Sequence, residues 1–169
     1  MDTNLLREVL ARWASGVVVV ATMTDSGRRH GMTASSFSAV ALDPPLISIC
    51  LTTTSTTQRL IEQSDIFTVS ILGHDHEPIG RRFAGMDKSG TTDRFGQERW
   101  DTAQTGAPVL ADAVGWLDCR VAARHEAGDH TIILGTVQAA ATPRSAEPLI
   151  YHARTFCKLR NAMMQGVIQ

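Results

Sequence analysis

Three clusters of residues carry the chemistry this chain can offer. Gly31-Met32-Thr33-Ala34-Ser35-Ser36-Phe37-Ser38 joins a glycine and small side chains to four hydroxyls. Small residues let a flat ligand approach the backbone, and exposed amides and hydroxyls can hold a phosphate or the polar edge of a ring. The same composition also suits an ordinary Ser/Thr-rich strand end. Thr52-Thr53-Thr54-Ser55-Thr56-Thr57 stands just before a helical pattern. Unpaired amides and the positive end of the helix dipole favour an anion there, unless Ser55 or Thr56 simply caps the helix. Gly128-Asp129-His130 puts an imidazole beside a glycine turn, where it can donate to a carboxamide or a phosphate, although a lone histidine is often a satisfied surface or core residue.

Two further groups are weaker. His74 and His76 have the spacing of ligands on one strand face, but Gly73, Asp75 and Glu77 around them favour a solvated loop over a metal site. Arg81-Arg82-Phe83-Ala84 ends a helical segment and presents a guanidinium either to a phosphate or to solvent. No Ser-His-Asp order and no paired-carboxylate spacing stands out, so no residue is expected to act as nucleophile, acid or base, and none as a metal ligand. No GxGxxG follows a strand and no GxxxxGK[ST] is present, which removes the sequence signals of a Rossmann domain and a P-loop. Cys50, Cys119 and Cys157 form no CxxC pair and read as small buried residues.

The elements that position these residues follow from hydrophobic periodicity. Leu5, Leu6, Val9, Leu10 and Trp13 share one face of a helix expected over 4–14, with Asn4 as N-cap and Gly16 as stop. Val17 to Ala21, the turn at Asp25-Ser26-Gly27 and the segment from His30 to Val40 predict a hairpin. Asp43-Pro44-Pro45 breaks the chain before a strand from Leu46 to Leu51. A short helix through Leu60 and Ile61, a strand from Ile66 to Leu72 and a helix from Glu77 to Ala84 follow. The segment from Gly85 to Ala107 has little apolar content and reads as a long excursion. Strands are expected from Val114 to Arg124, His130 to Ala140, Leu149 to Tyr151 and Phe156 to Leu159. Short turns and helices confined to the start and middle point to a mainly β antiparallel barrel with Greek-key character.

The 169 residues with 43% hydrophobic content suit one domain spanning 1–169, with a barrel core over about 6–159 and a tail over 160–169. A net charge of -1, from 16 basic and 17 acidic residues, gives no bulk attraction to nucleic acid or an anionic membrane. The N-terminus lacks a secretory pattern and no apolar run approaches the roughly 20 residues of a membrane span, so a cytoplasmic protein is expected.

Taken together, Gly31 to Phe37, Leu42-Asp43-Pro44-Pro45-Leu46, Arg82-Phe83-Ala84-Gly85, Gly128-Asp129-His130-Thr131 and Pro148-Leu149-Ile150-Tyr151-His152 resemble the flavin reductase-like, FMN-binding split-barrel family. The likeness runs from about Leu6 to Leu159, and the order of the motifs is more specific than any one of them. It implies a homodimer of six-stranded antiparallel Greek-key split barrels that reduces FAD or FMN with NADH or NADPH. The reduced flavin then serves a separate flavin-dependent monooxygenase. It further implies that Met32, Thr33, Ala34, Ser35, Ser36 and Ser38 lie along the isoalloxazine and ribityl chain. Cys50, Leu51, Thr52, Thr53, Ser55, Thr56 and Thr57 hold the ribityl and phosphate end, Phe83 and Ala84 close the pocket, and His130 and Tyr151 receive the nicotinamide. Hydride transfer between cofactors needs no protein nucleophile, which accords with the missing catalytic constellation.

Two departures from the family pattern stand out. Thr52-Thr53 replaces a common Asn-Lys, leaving the phosphate to hydroxyls, amides and Arg82, and Cys157 replaces a common His. The rivals are a non-catalytic flavin- or haem-binding split barrel serving as sensor or carrier, and an oxidase of the pyridoxine phosphate type, for which the basic residues are too few.

Overall fold

A computed structural model describes residues 1–87 and 93–159 of the chain. Its elements run α1 (Thr3–Ala11), β1 (Ser15–Gly16), β2 (Val18–Met23), β3 (Arg29–Ala34), β4 (Ser38–Leu42), β5 (Pro45–Thr52), α2 (Thr56–Ser64) and β6 (Ile66–Ile71), then a 3-10 turn (His74–His76) and α3 (Glu77–Phe83). After these come β7 (Trp100–Thr102), β8 (Pro108–Leu110), β9 (Gly115–Ala127), β10 (His130–Ala141), β11 (Leu149–His152) and β12 (Thr155–Lys158).

The main sheet has the order β3-β2-β6-β9-β10-β5-β4, beside a sheet β1-β11-β12 and a pair β7-β8, and every recorded pairing between strands is antiparallel. The two ends of the main sheet, β3 and β4, are consecutive in sequence, so the chain from Arg29 to Leu42 bends from one edge of the sheet to the other. Sequence periodicity treats His30 to Val40 as one strand, whereas the structure breaks it at Ser35–Phe37. Ser36 fastens the bend, because its hydroxyl donates to the Cys50 carbonyl at 2.7 Å and accepts from the Cys50 amide at 3.2 Å.

The β-branched run in β2 is buried on both faces, which is why it does not alternate. Val18 and Val20 join Ile49, Leu51, Phe67, Val69 and Ile133 inside the barrel. Val17, Val19 and Ala21 pack outward, in a second core with Leu72, Ile79, Phe83, Phe95 and Leu110 under α3 and the excursion. Gly135 sits where a Cβ would lie 2.5 Å from Phe67 Cζ. Gly135→Ala is therefore expected to cost about 1–3 kcal/mol through overpacking, read as a lower urea midpoint with an unchanged slope.

Several expectations change. Asp2, not Asn4, caps α1 by accepting from the Asn4 amide at 2.8 Å, and the helix ends at Ala11. The excursion is not a bare loop: it carries β7, and Phe95 and Trp100 pack with Phe83 at ring separations of 5.0 and 5.4 Å. A few large aromatic residues anchor a segment whose average hydropathy is low. Residues 88–92 of the excursion and the tail over 160–169 lie outside the described residues. His76 is buried rather than solvated, between the Asp112 carboxylate and Arg144. Cys119 is fully buried, and burial pushes its thiol up to about 12; Cys50 and Cys157 are half-buried.

Candidate functional site

The edge of β3 opens onto a cleft of about 170 Å³ lined by Thr33, Ala34, Ser35, Ala84 and Tyr151, with Val17, Met86 and Phe156 completing its walls. Three elements meet there. The end of β3 supplies small residues, and because β3 stands at the end of the sheet order its outer amides and carbonyls are not used in a ladder. The residues just after α3 supply Ala84 and Met86. The sheet β1-β11-β12 supplies Tyr151 and Phe156, whose rings meet edge-on at 5.3 Å, with the Arg81 guanidinium over Phe156 at 5.3 Å. The Thr33 hydroxyl donates to the Gly80 carbonyl at 2.7 Å and so ties β3 to α3. An apolar floor, an aromatic wall and a free strand edge suit a flat heterocycle with polar atoms on its rim.

The second hydroxyl cluster closes the end of the barrel. Ser55 caps α2 by accepting the Gln58 amide at 3.1 Å. The remaining first-turn amides and the positive dipole end thus face the Thr52–Thr54 turn. Thr52 lies opposite His130 in the β5–β10 register, with its hydroxyl 3.4 Å from His130 Nε2. Asp129 accepts from His130 Nδ1 at 2.7 Å, and this hydrogen bond, then the charge of His130, holds the Asp129 carboxyl below the usual carboxylate range. The Thr53 hydroxyl closes on the Asp129 carbonyl at 3.2 Å. Gly128, at φ +64°, makes the turn that brings Asp129 and His130 here. Burial, then the Asp129 carboxylate, raises the Cys50 thiol.

Residues 10–160 match the family model of the flavin reductase like domain. The chain belongs to the flavin reductase family. It is 36% identical over 161 residues to an actinorhodin polyketide dimerase of Streptomyces coelicolor, covering 95% of this chain and 89% of that one. It is 36% identical over 156 residues to an NADH-dependent flavin reductase of a Rhodococcus species, covering 91% and 85%. Among solved structures, it resembles the NADH:FAD oxidoreductase of Streptomyces globisporus with TM-score 0.86 and 32% identity, covering 98% of this chain and 92% of that one; that protein has also been solved with NAD and FAD fragments. Component B of nitrilotriacetate monooxygenase from Mycobacterium thermoresistibile superposes with TM-score 0.90 at 28% identity, covering 99% and 92%.

In this flavin reductase the residues singled out from sequence fall into three groups. Thr33, Ala34, Ser35, Ala84 and Tyr151 meet in the cleft. Ser36, Cys50, Thr52, Thr53, Ser55, Thr56 and His130 cluster around the β5–α2 and β9–β10 ends. The third group is a correction. Arg82 is 4% exposed and spends its guanidinium on the Arg94 carbonyl, Gln97 and Glu98, so it is not available to a phosphate. Phe83, Leu51 and Thr57 are each 1% exposed and support the site from behind, Thr57 through a 3.1 Å bond to His30 Nδ1. Met32 packs against the barrel core, and the Ser38 side chain is exposed on β4 with its hydroxyl on the Ala39 carbonyl. Val17, Met86 and Phe156 were missed; Phe156 was legible as a second aromatic near Tyr151, but nothing in the sequence marks Met86 as its neighbour.

Proposed function

We propose that this flavin reductase passes the reducing equivalents of NADH, or of NADPH, to FAD or FMN seated in the cleft, and releases the reduced flavin to a separate flavin-dependent monooxygenase. The observation that carries this reading is the cleft itself, where a free strand edge and small side chains face Tyr151 across a space suited to a flat ring. The names of the relatives, an NADH-dependent flavin reductase and a monooxygenase component B, support it.

When bound, the flavin takes up the electrons of the reduced nicotinamide, so the chain need not supply a nucleophile. The chain's own task is positioning. The amides and carbonyls of Thr33 to Ser35 hold the polar rim of the ring, while Val17, Ala34 and Phe156 keep water from its face. Ser36, Cys50, Thr52 and Thr53 follow the ribityl chain to the first turn of α2, where Ser55 and Thr56 present hydroxyls and amides to a phosphate. Tyr151 offers an aromatic wall for the nicotinamide. His130 is oriented by Asp129: its Nδ1–H donates to the carboxylate at 2.7 Å, so the neutral ring presents Nε2 as an acceptor.

We place this activity in a single domain over 1–169 of a cytoplasmic homodimer. The free cysteines agree with a reducing compartment, and no helix among the described residues is long and apolar enough to cross a membrane. A dimer gives the face of α1 a partner: Leu5, Leu6, Val9 and Leu10, with Trp13 beyond its end, are all exposed in the single chain.

The purified protein is expected to oxidise NADH rapidly only when FAD or FMN is added. Tight retention of flavin with no NADH or NADPH oxidation would instead assign it to the carriers.

A further inference from the structure

A second pocket, of about 460 Å³, lies at the other end of β3 and is lined by Arg28, Arg29, His30 and Gly31 from the hairpin and by Asp93, Arg94 and Phe95 from the excursion. Three arginines and one aspartate line it, so its charge is concentrated and predominantly positive, on a chain whose formal net charge is only -1. Among the described residues no ion pair involves Arg28, Arg29, Arg59 or Arg94. The Asp93 carboxylate accepts from the Phe95 amide at 2.9 Å. Arg94 donates to the Phe83 carbonyl at 3.2 Å and is anchored. The Arg29 guanidinium lies over the Phe95 ring at 5.0 Å, which limits its rotamers without neutralising it. The protonated form of His30 is disfavoured first by burial and then by Arg94, Arg28 and Arg59, as expected where the local potential is already positive. Like charges held together raise the energy of the fold unless an anion offsets them.

The position of the pocket says which anion. Gly31 lines it while Thr33 lines the ring cleft, on the same strand and the same face. From Arg29 or His30 to Ala34 is four or five residues of extended chain, about 13–17 Å, within reach of a flavin dinucleotide whose ribityl chain passes Ser36, Cys50, Thr52 and Thr53 to the first turn of α2. His30 also touches Thr57 in the first turn of α2, at 3.1 Å, so the pocket begins where the site for a first phosphate ends.

We propose that this pocket binds the diphosphate of FAD, making the dinucleotide rather than FMN the preferred flavin of this reductase. The inference rests on the cleft being the flavin-ring site. Arg28 and Arg29 contact the phosphate that FMN lacks, and the pocket volume leaves room for the adenosine. The nicotinamide dinucleotide carries the same diphosphate chemistry, but its expected receivers, His130 and Tyr151, stand away from this pocket, and neither lines it.

Isothermal titration of the full chain with FAD, FMN and ADP, at low and at raised salt, tests this. FAD is expected to bind about 10-fold or more tightly than FMN, with an advantage that shrinks as salt rises. In Arg28→Gln/Arg29→Gln, and to a smaller degree in Arg28→Gln alone, FAD should fall to the affinity of FMN; both side chains are exposed, and a melting curve confirms folding. Equal affinities for the two flavins in the parent protein, or a preference for FAD that survives the double substitution, overturns the proposal. So does a rise in the NADH KM with FMN as acceptor that exceeds the loss in FAD binding, which would hand the pocket to the nicotinamide nucleotide. If neither flavin binds at all, the ring site is what fails, and this inference falls with it.

Discussion

Ala84→Trp is expected to lower flavin-dependent NADH oxidation by about 100-fold or more while leaving the melting temperature nearly unchanged. Ala84 lies just beyond α3, exposed, and its methyl lines the cleft opposite the edge of β3. An indole there occupies the space proposed for the ring without entering either core. A buried aromatic system of on the order of 200 Å² is stabilised by roughly 5 kcal/mol at about 25 cal/mol per Å². Losing even half of that reduces binding nearly 100-fold. Titrated flavin fluorescence and steady-state kinetics check the result. Activity within a few-fold of the parent protein would show that the ring sits elsewhere.

Arg82→Ala carries the largest expected effect on stability, a loss of about 3 kcal/mol, because its guanidinium is buried against Glu98, Gln97 and the Arg94 carbonyl. Removing the cation leaves Glu98, only 21% exposed, without its partner, together with an unpaired carbonyl and a void. Denaturant unfolding measures the loss. Arg82→Lys should recover little of it, since one ammonium cannot replace a fork that serves three acceptors. The consequence reaches the site, because the excursion held by Arg82 carries Phe95 and Trp100 against Phe83, next to Ala84. Flavin affinity should therefore fall along with stability. Unchanged stability would mean that the excursion is anchored by its aromatic residues alone.

The barrel was legible from sequence because its strands state their own period. The Val17–Ala21 run, the Asp43-Pro44-Pro45 break and the Gly128 turn each act over a few residues, and the structure places strands and turns there. The chain bend at Ser35–Phe37 was not legible, because it depends on Ser36 meeting Cys50, fourteen positions away. Arg82 misled for a related reason. An arginine ending a helix beside a phosphate motif looks like an anion ligand, yet its partners Glu98 and Gln97 come from a segment whose fold is set by Phe95 and Trp100. The site divides in the same way. Thr33, Ala34 and Ser35 were named because a glycine, small side chains and hydroxyls together admit a flat ligand and because the family resemblance runs through them, whereas Met86 and Val17 join the cleft only through tertiary packing. The basic pocket was not picked out from the sequence, where Arg28-Arg29 simply follow the Asp25-Ser26-Gly27 turn. Arg94, which completes it, arrives from the excursion.

A crystal structure of the protein grown with FAD tests the central claim most directly. The account predicts ring density against Thr33, Ala34 and Ser35, with Ala84 on one side and Tyr151 on the other, and the phosphates running toward the first turn of α2. A well-ordered flavin whose ring lies outside that cleft, with Thr33–Ser35 and Tyr151 still facing empty solvent, would contradict it.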